Sequence, residues 1–273
     1  MNIANMIDEY ISMGYEQVDA EAKVCQDIIL VKIANSKFSK NVTIKGGVVM
    51  HNISNDVRRA TKDIDIDFIK YSLDDKSIEN FVNIISGLDD GVKINIIGKI
   101  KTLHQQDYEG KRVNIAIIDA DNYIIKTKLD IGVHKLFDIE QEEYCFTFDM
   151  INEAVVLFIN SKEQVFAEKL KSLLKFGVLS TRYKDILDFY YLINMTSLDK
   201  DKLLKCIENL IFNDYNLEIN SIYLIIERLN DIFSNKEYLN NLKEPKNNWL
   251  DKPIDIVISS IIGYFNTLVL INN

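Results

Sequence analysis

The sequence predicts an α/β (α+β) half followed by an all-helical half, and three observations carry that reading. Short β-rich runs cluster between residues 42 and 160. From Ser161 almost to the end the apolar residues recur at helical spacing. No Gly/Ser-rich linker or low-complexity tract separates the halves, and the only prolines are Pro245 and Pro253, so the boundary is placed where the period changes. That gives domains of 1–155 and 156–273. With 273 residues, 47% of them hydrophobic, the chain can bury its cores without disulfides or a structural metal.

In chain order, the first forty residues read as helical, with Asp19 placed as an N-cap before Val24, Ile28, Val31 and Ile33. Strands are expected at Val42–Lys45, Asp63–Ile69, Val92–Lys101, Val113–Asp119, Tyr123–Val133 and Ala154–Ile159, with a helix over Ser77–Leu88 between them. Ser161 and Gln164 have the spacing of a capping box that opens the helical half. The apolar run Ile254–Ile271 is interrupted by Asp255, Ser259, Ser260, Asn266 and Thr267, which predicts a buried core helix and no membrane span. No signal-peptide pattern opens the chain.

Cys25, Cys145 and Cys206 are odd in number and far apart, fitting neither a disulfide framework nor a zinc site and pointing to a reducing cytoplasm. The net charge of -9, most of its acid in the first 150 residues, argues against broad nucleic-acid binding and against stable DNA binding. A phosphorylated small substrate or a local RNA contact remains compatible with it.

The chemistry concentrates in two segments. Lys45-Gly46-Gly47-Val48 lies between an expected strand and a helix or loop, where paired glycines let backbone N–H groups approach a phosphate. A Gly-Gly there is also an ordinary tight turn. Next comes Arg59-Ala60-Thr61-Lys62-Asp63-Ile64-Asp65-Ile66-Asp67-Phe68. As a strand it puts three carboxylates on one face, roughly 7 Å apart, a row that repels itself unless cations offset it. Such a row is either a solvated face or a holder for divalent cations, for which Mg²⁺ with its preference for oxygen ligands is the natural choice. Two ions of this kind can stabilise both the attacking and the leaving oxygen in phosphoryl transfer. Asp65/Asp67 is an alternative pair to Asp63/Asp65. Asp130, in a strand-like run beside Lys126 and Lys128, is the candidate third carboxylate, as metal ligand or general base.

In the helical half, Lys169 falls inside the apolar arc of Val165, Phe166, Leu170 and Leu173 and is expected to face inward. It either snorkels to water or neutralises a nucleotide phosphate. Beyond it, Arg182/Asp185 and Lys184/Asp188 have ion-pair spacing on a helix.

In this order, Gly46-Gly47, Arg-x-Thr-x-Asp-Ile-Asp, Leu-Asp-Ile-Gly, Ala-Glu-Lys-Leu and Arg-Tyr-Lys-Asp-Ile-x-Asp resemble the AbiEii/AbiGii-like nucleotidyltransferase toxins of the DNA polymerase beta superfamily. The matching segments span residues 45 to 188. The resemblance implies a nucleotidyltransferase-type mixed sheet with flanking helices, a helical C-terminal domain and a triphosphate cleft between them. It implies that Lys45, Gly46 and Gly47 cradle phosphates, that Asp63, Asp65 and Asp130 hold the metal ions, and that Lys169, Arg182, Lys184 and Asp185 serve the nucleotide. It further implies transfer from a nucleoside triphosphate to an acceptor such as tRNA, a cognate antitoxin, and a role in abortive phage infection. One departure is Val48, where a small hydroxyl residue often follows the glycines. Transfer to a partner protein or a small molecule such as an antibiotic, or binding without turnover, are the competing readings.

His51, His104 and His134 lack metal-site spacing and read as structural or solvent-facing, although His51 lies close enough to the turn to reach a substrate. Trp249 and Phe189-Tyr190-Tyr191 read as helix-packing residues.

Overall fold

The computed structural model describes residues 1–103, 110–134, 138–148, 150–151 and 153–270. His104 and the end of the apolar run at Ile271 lie outside them. The chain forms two compact units, Met1–Asn160 and Ser161–Asn273. The division falls after Asn160 and not near residue 155 because the last strand of the first unit, β7 (Glu153–Ile159), is paired on both sides within the sheet.

Unit 1 opens with α1 (Ile3–Ser12) and α2 (Gln17–Ala34). Asp19 is not the cap: α2 starts earlier, after Glu16, and Asp19 sits in the first turn, where its charge favours the helix N-terminus. The rest of the unit is β1 (Val42–Lys45), α3 (Gly46–Ser54), β2 (Ile64–Phe68), α4 (Asp75–Ser86), β3 (Lys93–Leu103), β4 (Gly110–Ile118), β5 (Ile124–Val133), β6 (Glu142–Phe148) and β7. β6 is absent from the sequence expectations.

The seven strands form one mixed sheet in the order β3-β4-β5-β2-β1-β7-β6. β2 runs parallel to β5 and β1 parallel to β7, while the other neighbours are antiparallel. Strand alternation sends Ile64, Ile66, Phe68, Val113, Ile115, Ile117, Leu129 and Ile131 to one face, all buried. α2 is buried nearly all round and satisfies its polar groups internally. Lys23 and Tyr10 both bond Asp27, Lys32 pairs with Asp90 at 2.7 Å, and Gln26 donates to the Thr61 carbonyl at 2.6 Å. The last contact fixes the loop that leads into β2.

Unit 2 holds α5 (Lys162–Phe176), α6 (Lys184–Met195), α7 (Lys200–Ile207), α8 (Ile222–Phe233), α9 (Lys236–Leu242) and α10 (Ile254–Val269). Ser161 caps α5, its hydroxyl accepting from Gln164 N at 3.2 Å, while the Gln164 amide reaches Glu168. Phe166 packs on Phe189 and Phe265, and buried Trp249 on Tyr191, so these aromatics are core. α10 buries Val257, Ile261, Phe265 and Leu268 along one side. Among the described residues no helix is long and apolar enough to cross a membrane.

The β4–β5 turn is tied to α1 by Asp119, whose carboxylate accepts from Ile3 N and Tyr123 N, both at 2.9 Å, and from Asp121 N at 3.0 Å. Burial pushes its pKa up, but these three N–H donors outweigh burial and leave it below the usual carboxylate value. Asp119→Ala is expected to cost about 2–3 kcal/mol near neutral pH by orphaning these donors. A depressed folded-state pKa gives stability that is present above the unfolded value of about 3.9. The penalty should therefore shrink as pH falls through the native value. Denaturant titrations of both proteins from pH 7 to pH 2 check it, and a pH-independent difference would contradict the assignment.

Candidate functional site

β1 is buried at Val42, Thr43 and Ile44 and delivers Lys45 to the start of α3. Gly46 makes the turn in the left-handed region, at φ +66°, which costs a residue with a Cβ about 1–2 kcal/mol. Lys45 gives no side-chain cap to α3, and the N–H groups of a helix's first turn are the donors that an anion takes.

Both glycines are also required by what lies behind them. A Cβ on Gly46 would stand 2.5 Å from Asp65 Oδ2, and one on Gly47 would stand 2.5 Å from Thr61 Oγ1. Val48 is fully buried in the core. The hydroxyl beside the turn therefore comes from Thr61. Sequence reasoning missed this role although Thr61 lies in the acidic motif.

The expected strand Asp63–Ile69 is shorter, Ile64–Phe68, and leaves Asp63 just ahead of it. Asp65 and Asp130 are register partners across β2 and β5. Extending the row outward, Lys45 is the partner of Asp65 and Arg112 the partner of Asp130. Four neighbouring strands thus carry Lys45, Asp65, Asp130 and Arg112 in one line. Arg112 grips Asp130 with two bonds of 2.7 and 2.6 Å. Lys128 Nζ lies 2.9 Å from Asp63, and Lys45 Nζ lies 2.6 Å from buried Asp67.

These are the cations the acidic row needs. At an effective dielectric of about 20, carboxylates roughly 7 Å apart repel by about 2.4 kcal/mol, whereas a cation near 2.7 Å attracts by about 6 kcal/mol before desolvation. The hydrogen bonds to Asp130 raise the Arg112 pKa, and the charges of Asp130, Asp63 and Asp65 add to the rise against its burial. Arg112 was not among the sequence candidates. Its role depends on strand register, for which the sequence carries no local mark.

The oxygen-only set Asp63, Asp65 and Asp130 has the chemistry of a hard divalent cation site such as Mg²⁺. Among the described residues no group of three His, Cys, Asp or Glu side chains stands close enough together to hold a metal ion. Asp63 and Asp130 are each held by a protein cation. Lys45, a phosphate candidate by sequence, is a half-buried counter-ion to the buried Asp67.

In unit 2, Lys169 is buried as expected, at 7% exposure. The spacing-based pair Arg182/Asp185 does not describe where Asp185 goes. Asp185 bonds Lys169, and Asp188, fully buried, lies 3.0 Å from the same amine. α6 begins only at Lys184, so Arg182 precedes it and donates to Ser172 Oγ at 3.4 Å. His51 is buried on α3, its ring 2.9 Å from Tyr15 Oη, and His134 is buried near Gln141.

A family model described as nucleotidyl transferase AbiEii toxin, type IV TA system, matches residues 28–252. No curated protein matches the chain. Among solved structures, an antigenic nucleotidyltransferase-like protein from Paracoccidioides brasiliensis is similar over 72% of this chain and 90% of its own, with 16% identity and a TM-score of 0.43. That likeness is too distant to bear on the site.

Gly46→Ala is expected to destabilise by about 2 kcal/mol or more, from left-handed strain and displacement of Asp65, and to reduce nucleotide affinity. Thermal melts and nucleotide titrations check both, and a silent substitution would show that the turn does not hold Asp65. Lys169→Met removes the one amine that the buried Asp185 and Asp188 share. An expected loss of about 3–5 kcal/mol should appear as a clear drop in melting temperature.

Proposed function

The chain belongs to the AbiEii nucleotidyltransferase toxin family of type IV toxin–antitoxin systems and is a nucleotidyltransferase, and we propose that it transfers a nucleotide from a nucleoside triphosphate to an RNA acceptor, tRNA. The observation that carries the proposal is the contact of the turn with the acids. Gly46 lies against Asp65, and Asp65 stands in register with Asp130. A phosphate bound on the α3 N-terminus is thereby set beside two carboxylates on adjacent strands.

In this reading Gly46 and Gly47 take phosphate oxygens through backbone N–H groups, and the Thr61 hydroxyl adds a side-chain donor where Val48 has none. Asp65 and Asp130 would hold Mg²⁺ once Arg112 releases Asp130, with Asp63 joining them only after Lys128 releases it, and such ions would supply charge compensation for the triphosphate. Asp130 doubles as acceptor for the proton of the attacking hydroxyl, which requires Arg112 to release it. The acceptor oxygen bonds the α-phosphorus as the bond to the β-phosphate oxygen breaks, and pyrophosphate leaves. Lys45 acts from beneath the turn by fixing Asp67, while in unit 2 the buried Lys169, a triphosphate candidate by sequence together with Arg182, Lys184 and Asp185, is bound by Asp185 and Asp188. Action in the cytoplasm, control by a cognate antitoxin and service in abortive phage infection complete the proposal.

Labelled nucleoside triphosphates incubated with Mg²⁺ and total tRNA should place label on RNA. Asp65→Asn should lower transfer about 10²-fold or more while the protein stays folded. Nucleotide binding without label on any RNA would reject the RNA acceptor, and label on a protein or an antibiotic would identify the acceptor instead.

A further inference from the structure

The sheet face that carries Asp65 and Asp130 continues outward across β5, β4 and β3, and its composition changes sharply there. Register pairing puts Lys126, Lys128 and Asp130 of β5 on one face with Arg112 and Asn114 of β4. Lys93, Asn95, Ile97 and Lys101 of β3 join them, because Asn114 pairs with Ile97 and Arg112 with Lys101. The bulge between Ile97 and Lys101, with Gly98 at φ +71°, adds two residues to β3 relative to β4 and so keeps Lys101 on this face. The opposite face at these strands is the apolar core, with Ile94, Val113, Ile115, Ile117, Ile125 and Leu129 buried.

Five cations, Lys93, Lys101, Arg112, Lys126 and Lys128, therefore share this face with a single carboxylate, Asp130, in a chain of net charge -9. Arg112 and Lys128 are engaged by Asp130 and Asp63. Lys93, Lys101 and Lys126 are exposed, and no described residue forms an ion pair with them. Lys101 lies in the same row as Arg112, Asp130 and Asp65, three strands or about 14 Å from Asp65, and Lys126 lies about 13 Å along β5 from Asp130. Such separations correspond to a few nucleotides of a strand.

We infer that this outer face binds the sugar–phosphate backbone of the RNA acceptor and leads its reacting end to Asp65 and Asp130; the inference rests on the RNA-acceptor reading above. Charge complementarity selects the occupant. Phosphate contacts need repeated cations and no apolar anchor, whereas a protein partner needs a central apolar or aromatic cluster. The face offers only Ile97 and Ile124 as exposed large apolar side chains, at 37% and 52% exposure. Concentrating the cations on one sheet face reconciles local RNA binding with an acidic chain.

The test uses the full chain and the variant Lys93→Gln/Lys101→Gln/Lys126→Gln, with labelled total tRNA titrated at several salt concentrations. The variant is expected to melt and bind nucleoside triphosphate like the parent. It should bind tRNA about tenfold or more weakly, with a log–log salt dependence shallower by about 2–3, since each lost phosphate contact removes roughly 0.7–0.9. Transfer should show a raised KM for tRNA. Equal affinity and salt dependence in parent and variant would overturn the inference while leaving the RNA acceptor standing. A parent that binds nucleotide but no tRNA would remove both. Equally tight parent binding to an acidic polypeptide, lost in the same variant, would assign the face to a protein partner and overturn the inference.

Discussion

The organisation of the seven-stranded sheet depends on compensating the charge of the carboxylates that strand alternation and register bring to one face. Asp65 and Asp67 share a face of β2 because they alternate, Asp63 lies just ahead of the strand against Lys128, and Asp130 joins them because β2 and β5 pair in parallel with Asp65 opposite it. Repulsion along such a row would favour any slip that separated the acids. Lys45, Lys128 and Arg112 remove that preference, each reaching an acid from its own strand. Register and charge therefore reinforce each other: a one-residue slip of β5 would turn Asp130 onto the apolar face among Leu129's neighbours, away from Arg112, and turn Leu129 onto the charged face.

Both units use the same device at depth, a buried carboxylate fixed by a lysine from a neighbouring element. Asp67 and Lys45 do so in the sheet, and Asp185 and Asp188 with Lys169 do so between α5 and α6. Buried ion pairs contribute little net stability, because desolvation offsets the attraction, but breaking one is costly. Their effect here is positional. The Lys45–Asp67 pair holds the last residue before the glycine turn, and the Lys169 pairs hold α6 at its first turns. Gln26 adds a neutral version by fixing the Thr61 carbonyl from α2.

What could be read in the sequence was what depends on local pattern. Alternation revealed the strands that carry the acids, and the Ser161 cap revealed the start of α5. β6 escaped because it is an edge strand whose alternate residues, Glu143, Cys145 and Thr147, are exposed, so it lacks the continuous β-rich run of a central strand. The partners of Asp185 and Asp188 escaped for another reason. Helical spacing offered Arg182 to Asp185, but α6 starts too late to include Arg182, and both acids turn inward to a lysine on a different helix. Arg112 is the instructive case: nothing within ten residues of it marks it as the counter-ion of Asp130, since the pairing exists only once β4 and β5 are in register.

The glycine pair shows how the two kinds of information combine. Taken alone, Gly46-Gly47 is compatible with any tight turn, and its usual justification is room for a ligand. The structure adds a constraint from the protein side, for Asp65 occupies the space a Cβ on Gly46 would need, and Thr61 the space for one on Gly47. Each glycine thus admits a side chain from the acidic segment, with or without a phosphate on the outer side of the turn. That requirement couples the two motifs physically, since the Asp65 carboxylate can lie against the helix start only where the turn residue has no side chain. The spacing between Gly47 and Asp63 is then the length of chain needed to run along α3, pass through the loop held by Gln26, and return antiparallel to β1.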